Sequence, residues 1–153
     1  MIIRLAKKED FPSILPLFKE LDAKHSRNSS DMKENIAEQR YTILFFNAFT
    51  ENSNLTITVA EQNTEILGFA VSKMTVIKDN LIFKDAVIGE ILYVAVDNMH
   101  KKSGIGTKLM LDMEQRLKSK GVTRLELRVF SFNSETLPEK VNYKAKYTVY
   151  EKY

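Results

Sequence analysis

The chain has 153 residues, of which 44% are hydrophobic and 28% are charged, and its formal net charge at pH 7 is +3. This composition is typical of one globular domain with a core of its own, not of a disordered segment. The absence of cysteine excludes disulfides, thiolate zinc sites and a cysteine nucleophile. The amino terminus does not resemble a signal peptide and no apolar run approaches membrane length, so we expect a cytoplasmic protein with no membrane partner.

The first part of the chain predicts a strand followed by two helices. Residues 1–5 are a short strand candidate, and Asp10 suits the cap of a helix whose first turn tolerates Pro12. Residues 25–31 are polar and serine-rich, a composition typical of a loop, and a second helix is expected over about 31–49. The predicted core positions of the two helices are Phe11, Ile14, Leu15, Phe18, Leu21, Met32, Ile36, Ile43 and Phe46.

The middle of the chain predicts three strands. Residues 55–59 alternate between apolar side chains and threonines, the pattern of a half-buried strand. Residues 62–65 form a turn into a long strand over about 66–76. A second turn at 78–80 precedes an apolar run that ends at Val96. This run barely alternates, which predicts a strand buried on both faces.

A glycine-containing turn and a third helix come after this strand. Glu114 and Lys118 form a favourable pair one turn apart, and Gly121 is a natural stop just past the helix. Residues 124–129 alternate between charged and apolar side chains and predict another strand. The apolar stripe of the helix consists of Ile105, Leu109, Met113 and Leu117.

The junction between the strand and this helix has the features of an anion site. The first N–H groups of a helix lack partners within it, and the helix dipole places partial positive charge there. Gly104 and Gly106 let a phosphate approach the backbone, and Lys101 and Lys102 add charge. The alternative is an ordinary loop with a solvated lysine pair. A Walker loop is absent, and Leu109 stands where a dinucleotide fingerprint needs its third glycine.

This stretch resembles the acetyl-CoA-binding signature of the GNAT N-acetyltransferases, usually Arg/Gln-x-x-Gly-x-Gly/Ala after a strand ending in valine. The matching residues are Lys101-Lys102-Ser103-Gly104-Ile105-Gly106, with Val96 at the end of the strand. The order strand, two helices, three strands, helix, strand is similar to the topology of the family. The resemblance implies one α/β domain over residues 1–153. Its sheet would be mixed, mostly antiparallel and twisted, flanked by helices and splayed beside the acetyl-CoA-binding strand.

The resemblance implies transfer of the acetyl group of acetyl-CoA to a primary amine of a small molecule or peptide. The absence of cysteine favours direct transfer in a ternary complex over an acyl-enzyme. No metal is implied. Asn133 would face the cofactor, and its alternative role is a turn-forming residue. The implied cofactor-binding residues are Val94, Ala95, Val96, Lys101, Lys102, Ser103, Gly104, Ile105, Gly106, Thr107 and Asn133.

Glu90 is the candidate general base, because it is the only charged residue within 87–96 and is placed like the glutamate base of the histone-acetyltransferase branch. A base is needed because an amine with a pKa near ~10.4 is mostly protonated at neutral pH. The alternative is a glutamate that faces solvent or pairs with a nearby cation. The first two helices and the turn between the third and fourth strands would build the acceptor pocket, although each candidate residue is more often a surface or packing residue. The pocket candidates are His25, Arg40, Tyr41 and Tyr93.

The chain departs from the family after Asn133. The family usually continues Asn-x-x-Ala-x-x-Phe-Tyr-Glu-Lys-x-Gly-Phe, and its tyrosine is the common acid for the thiolate. Here Pro138 is followed directly by Glu139-Lys140-Val141-Asn142-Tyr143, so the aromatic pair is missing. Losing two helical residues rotates every later position of the helix by about 200°. We therefore predict slow turnover, with the thiolate protonated by water or, as a second choice, by Tyr143.

Two other functions are compatible with the sequence. A non-catalytic acyl-CoA-binding module of the same fold would hold CoA without transferring the acetyl group. A nucleic-acid-binding domain would usually carry a Lys/Arg block with interleaved aromatic residues, which is missing. A homodimer is expected from the habit of the family. Its pairing edge would be a final strand that contains Tyr143, Ala145, Tyr147 and Val149.

Overall fold

The computed structural model describes residues 1–28, 33, 36–128 and 137–146, which form a five-stranded sheet with helices packed on both faces. Single turns of 3-10 helix at Lys8–Asp10 and Asn98–His100 precede the first and third α-helices. The predicted order of the elements is confirmed. The elements are β1 (Ile2–Leu5), α1 (Phe11–Asn28), α2 (Ala37–Asn47), β2 (Leu55–Gln62), β3 (Glu65–Ile77), β4 (Ala86–Val96), α3 (Ile105–Ser119), β5 (Arg124–Leu127) and α4 (Leu137–Lys140).

The described strands follow chain order in the sheet from β1 to β5, and among them only the β4–β5 pair is parallel. Pairing of β3 with β4 continues to the end of β4, where Gly68 lies opposite Val96. Pairing of β4 with β5 ends much earlier, at Ile91 and Leu127. Within the described residues, the outer edge of β4 therefore has no strand partner beyond Ile91, so the sheet is splayed at β4.

A β-bulge marks the point where β4 and β5 part. Val71 of β3 lies opposite Tyr93, whereas the next residue, Ser72, lies opposite Ile91, so Leu92 is an extra residue in β4. A bulge bends its strand and increases the local twist, which turns the end of β4 away from β5.

Two apolar clusters hold the helices on the sheet. On one face, α3 buries its predicted stripe against β3 and β4, where Val94 and Val96 join the cluster. A Cβ on Gly89 would lie 2.9 Å from Leu117 Cδ1, so this glycine lets α3 pack closely on β4. On the other face, α1 and α2 pack on Leu92, Tyr93 and Ala95. None of the described helices has the length and apolar character needed to cross a bilayer.

The helix bounds on this second face differ from the prediction. Helix α1 continues to Asn28, so the loop predicted from residue 25 is wrong for residues 25–28. Ser26 and Asn28 each donate a side-chain hydrogen bond to the carbonyl four residues earlier, so these polar side chains are satisfied within the helix. Helix α2 begins at Ala37, not near residue 31. The predicted core residues Ile43 and Phe46 are 56% and 41% exposed.

Contacts between elements correct three further predictions, which concern the core of α2, the cap of α1 and the burial of β2. Tyr41 and Phe45 fill the core of α2 instead of Ile43 and Phe46. Asp10 does not cap α1, because its carboxylate binds Arg4 of β1 at 2.7 Å and the Lys7 N–H at 2.7 Å. The half-buried pattern predicted for β2 is wrong, since its threonines are buried as well.

Two strand predictions also need correction. The prediction that β4 is buried on both faces holds only in its first half, where Ile88, Gly89 and Ile91 are buried, while residues 92–96 are half-buried. The strand predicted over 143–149 is wrong for residues 143–146, which have no strand structure, and Tyr147 and Val149 lie outside the described residues.

Candidate active site

The open edge of β4 is a backbone surface beside the splay. Along an antiparallel strand, hydrogen-bonding groups point alternately to the two neighbouring strands. Residues 92–96 use one side to pair with β3, and no strand covers the other side within the described residues. An extended chain of amide groups can bind such an edge as an added strand.

The chain leaves β4 through a turn that is stabilised by hydrogen bonds of its own side chains. Asp97 donates its N–H to the Leu67 carbonyl at 2.8 Å and accepts the Met99 N–H at 3.1 Å. The His100 ring lies 3.0 Å from the Asp97 carboxylate and lowers the pKa of that carboxyl. The Ser103 hydroxyl donates to the His100 carbonyl. These contacts set the direction in which the chain enters α3.

The first turn of α3 presents uncapped N–H groups. Gly104 is the N-cap residue with a φ of +81°, and it has no side chain that could cap the helix. Lys108 makes the first helical hydrogen bond, to the Gly104 carbonyl at 3.1 Å. The N–H groups of Ile105, Gly106 and Thr107 therefore have no acceptor within the helix. A Cβ on Gly104 would have no atom within 4 Å, so the space around it is open.

The two lysines of the turn have different surroundings. Lys102 is exposed and has a φ of +63°. Lys101 binds Glu20 of α1 at 2.9 Å and also contacts Asn98. Lys101 thus ties the turn to α1, whereas the side chain of Lys102 is exposed to solvent.

Glu90 lies on β4 just before the bulge. Its neighbours Gly89 and Ile91 face α3, so the alternation of the strand directs Glu90 to the face that carries α1 and α2. Its carboxylate is 22% exposed and lies 3.0 Å from Nε of Arg128, whose side chain is 76% exposed. This ion pair matches the alternative role of Glu90 as the partner of a nearby cation. An ion pair this exposed is weak, so it leaves the carboxylate able to exchange partners.

Tyr143 lies on the opposite face of the sheet, next to α3. Asn142 has a φ of +64° and Tyr143 donates its N–H to the Pro138 carbonyl at 2.9 Å, a pattern typical of the turn that ends a helix. Burial and the Glu114 carboxylate raise the pKa of the Tyr143 phenol. The Tyr143 hydroxyl and one Glu114 oxygen are both buried and have no hydrogen-bond partner among the described residues. The structure therefore does not bring Glu90 and Tyr143 together on one face.

A polar cluster lies between α1 and α2, on the face of the sheet that carries Tyr93 of β4. Arg40 and Tyr41 both donate to Oδ1 of the buried Asp22, at 2.6 Å and 3.1 Å. The Tyr41 ring stacks on Phe18 at 4.1 Å and is 5.8 Å from the Tyr93 ring. Three of the four predicted pocket residues are thus adjacent, and Tyr41 is a packing residue.

Helix α1 buries two polar side chains, Asp22 and His25. His25 lies three residues after Asp22, and burial lowers its pKa. Asp22 is absent from the sequence prediction, although it lies four residues after Phe18 on the apolar stripe of α1. A carboxylate at a position that continues the spacing of an apolar stripe is the signal that could have identified it.

Asn133, the remaining predicted cofactor residue, lies outside the described residues. Within the described ranges, no cluster of three or more His, Asp or Glu side chains is suited to hold a metal ion.

A profile of the Acetyltransferase (GNAT) family matches residues 18–138, and the chain belongs to this family. A sequence search of curated proteins returned no match. The fold is similar to that of a mutant protein from Bacillus halodurans, with a TM-score of 0.85 at 18% identity, covering 99% of this chain and 98% of that chain.

Two other solved structures share the fold. A predicted acetyltransferase from Clostridium acetobutylicum, solved with acetyl-CoA, has a TM-score of 0.73 at 16% identity and covers 99% of this chain and 95% of that chain. The glucosamine-6-phosphate N-acetyltransferase from Arabidopsis thaliana has a TM-score of 0.70 at 19% identity and covers 99% of this chain and 97% of that chain.

Proposed function

We propose that this protein is an acetyl-CoA-dependent N-acetyltransferase that transfers the acetyl group directly to a primary amine in a ternary complex. The observation that carries the proposal is the continuity of two backbone surfaces. The open edge of β4, at residues 92–96, leads through one short turn to the uncapped first turn of α3. Membership of the GNAT family supports the same activity.

Each of these two surfaces would bind one part of the cosubstrate, the pyrophosphate or the pantetheine arm. The N–H groups of Ile105, Gly106 and Thr107 would bind the pyrophosphate, with Lys102 as a neighbouring cation. The open space at Gly104 fits a phosphate that approaches the backbone. Main-chain groups of residues 94–96 would pair with the amides of the pantetheine arm as an added strand. Asn133 stays a prediction for the same cosubstrate.

The chemistry requires one proton to leave the amine and one to reach the thiolate. A bound thioester supplies an activated acetyl group. Glu90 accepts the proton of the ammonium, directly or through a water molecule, after its exposed partner Arg128 moves aside. Backbone N–H groups at the open edge of β4 stabilise the negative charge that develops on the acetyl oxygen. With no cysteine in the chain, direct transfer is favoured over an acyl-enzyme.

The second proton transfer is the weak step of this mechanism. The family's aromatic pair is missing after Pro138, and the raised pKa of Tyr143 makes its phenol a poorer acid. We therefore expect the thiolate to leave with a proton from water and turnover to be slow. The same two observations favour the second candidate function, an acyl-CoA-binding module without useful catalysis.

The two functions are separated by thiol release. The purified protein is mixed with acetyl-CoA and a panel of primary amines, and free CoA thiol is measured against reactions without amine. Amine-dependent release supports the transferase. Calorimetric binding of acetyl-CoA without release for any amine would instead support the binding module, and absence of binding would refute both.

A further inference from the structure

The position of the candidate base sets the face from which an acceptor reaches β4. Side chains of residues 92–96 are half-buried on both faces, with Val94 and Val96 against the α3 cluster and Tyr93 against α1 and α2. Glu90, with its carboxylate 22% exposed, lies on the face of α1 and α2. An amine that gives its proton to Glu90 therefore approaches β4 from the side of α1 and α2.

On this side, a buried carboxylate orients an arginine. Asp22 is 4% exposed and holds Nη1 of Arg40 at 2.6 Å, while the Tyr41 hydroxyl donates to the same oxygen. The contact with Asp22 uses one of the five N–H donors of the guanidinium. The Arg40 side chain is 29% exposed. The Arg40 side chain is thus held by Asp22 and partly exposed to solvent.

Arg40 is linked to the open part of β4 through its neighbour Tyr41. Its Cζ is 5.8 Å from the centroid of the Tyr41 ring, which in turn contacts Tyr93 edge-on. Burial raises the pKa of the Tyr93 phenol, and the positive charge of Arg40 opposes that rise. The guanidinium is therefore an electrostatic neighbour of a side chain on the open part of β4.

We infer that Arg40 binds an acidic group of the acceptor, so that the preferred substrates are primary amines that also carry a carboxylate or a phosphate. This inference rests on the proposed transferase function. A guanidinium fork suits planar, bidentate recognition of either anion. In the Asp22–Arg40 pair only the carboxylate is buried, so the pair fixes the position of the guanidinium and leaves part of it accessible to a ligand. The ammonium of the same acceptor is attracted by Glu90 on that face.

The test compares matched acceptors in matched variants. The acceptors are amino sugars with and without a 6-phosphate, and amino acids with their α-amides. Arg40→Met should lower kcat/KM for the acidic member of a pair about 10- to 100-fold, mainly through KM, and leave the neutral member unchanged. Arg40→Lys should restore part of the loss, because it keeps the charge without the fork. Lys19→Met is the control, since it breaks an exposed 2.7 Å ion pair with Glu38 between the same two helices.

Three results would overturn the inference. The first is that the wild-type protein acetylates the acidic and the neutral acceptor of a pair equally. The second is that Arg40→Met has a lower Tm and slows acetylation of both acceptors equally, as a purely structural role requires. The acidic compounds are also titrated calorimetrically into the CoA-saturated protein. Binding that is lost in Arg40→Met supports the inference even if no amine is acetylated, in which case only the transferase function fails. Absence of any binding that depends on Arg40 refutes it.

Discussion

Substitutions at Gly104 and Gly121 distinguish the effect of backbone strain at the ends of α3 from an effect on CoA binding. Gly104 has a φ of +81°, a conformation that costs a residue with a Cβ about 1–2 kcal/mol. Gly121, just past the other end of the same helix, has a φ of +86° and also has no atom within 4 Å of a Cβ. The same substitution at either glycine therefore carries a similar strain, but only Gly104 lies at the proposed phosphate site.

We expect Gly104→Glu to weaken acetyl-CoA binding strongly. Its carboxylate would compete with the pyrophosphate for the uncapped N–H groups and repel it. Loss of one charge-assisted hydrogen bond, worth about 1.5–3 kcal/mol, raises Kd roughly 10- to 100-fold. The same carboxylate at the helix start returns about 0.3–1 kcal/mol of stability, so Gly104→Glu should unfold at a slightly higher temperature than Gly104→Ala.

The assay is calorimetric titration with acetyl-CoA, with Tm measured for each variant. Gly121→Glu should lose stability through its strained φ and keep the parent Kd. The reasoning is refuted if folded Gly104→Glu binds acetyl-CoA with the parent affinity, or if Gly121→Glu loses as much affinity as Gly104→Glu.

Three other sets of variants test the proton transfers and the core packing. Glu90→Gln should lower turnover by roughly 10²–10⁴-fold at neutral pH, and the deficit should shrink at high pH, where more of the amine is neutral. Glu126→Gln, on the next strand in register with Glu90, is the control, and equal pH profiles for both variants would count against Glu90 as the base. Insertion of Phe-Tyr after Pro138 should raise the rate with little change in acetyl-CoA affinity, and an insertion variant no faster than its parent would contradict the missing-acid argument. Leu109→Ala in the α3 core should lower the free energy of unfolding by about 2–5 kcal/mol in denaturant titrations. Ile43→Ala, at a position 56% exposed, should change it by no more than about 0.5 kcal/mol, and a larger effect there would mean that this side chain is buried in solution.

Local patterns were sufficient to predict the strand, turn and helix that build the cosubstrate site. Helical spacing from Ile105 identified the buried stripe of α3, because a period near 3.6 residues is a property of the segment alone. Gly104 and Gly106, on either side of Ile105, located the uncapped turn. Gly104 takes up the left-handed φ of the N-cap position, which is a property of the local backbone. The splay of the sheet was predicted through resemblance to the family, and the pairing of β4 confirms it.

Contacts between distant segments decided the rest. Lys101 is a cationic residue of the turn by its sequence, but Glu20, 81 positions away, holds it against α1. The choice of Tyr41 and Phe45 over Ile43 and Phe46 as core residues depends on which side of α2 meets α1 and the sheet. Asp22 became a candidate only when α2 brought Arg40 within 2.6 Å of it. A side chain's burial and ion-pair partners are set by the elements packed against it, so no pattern within one segment contains them.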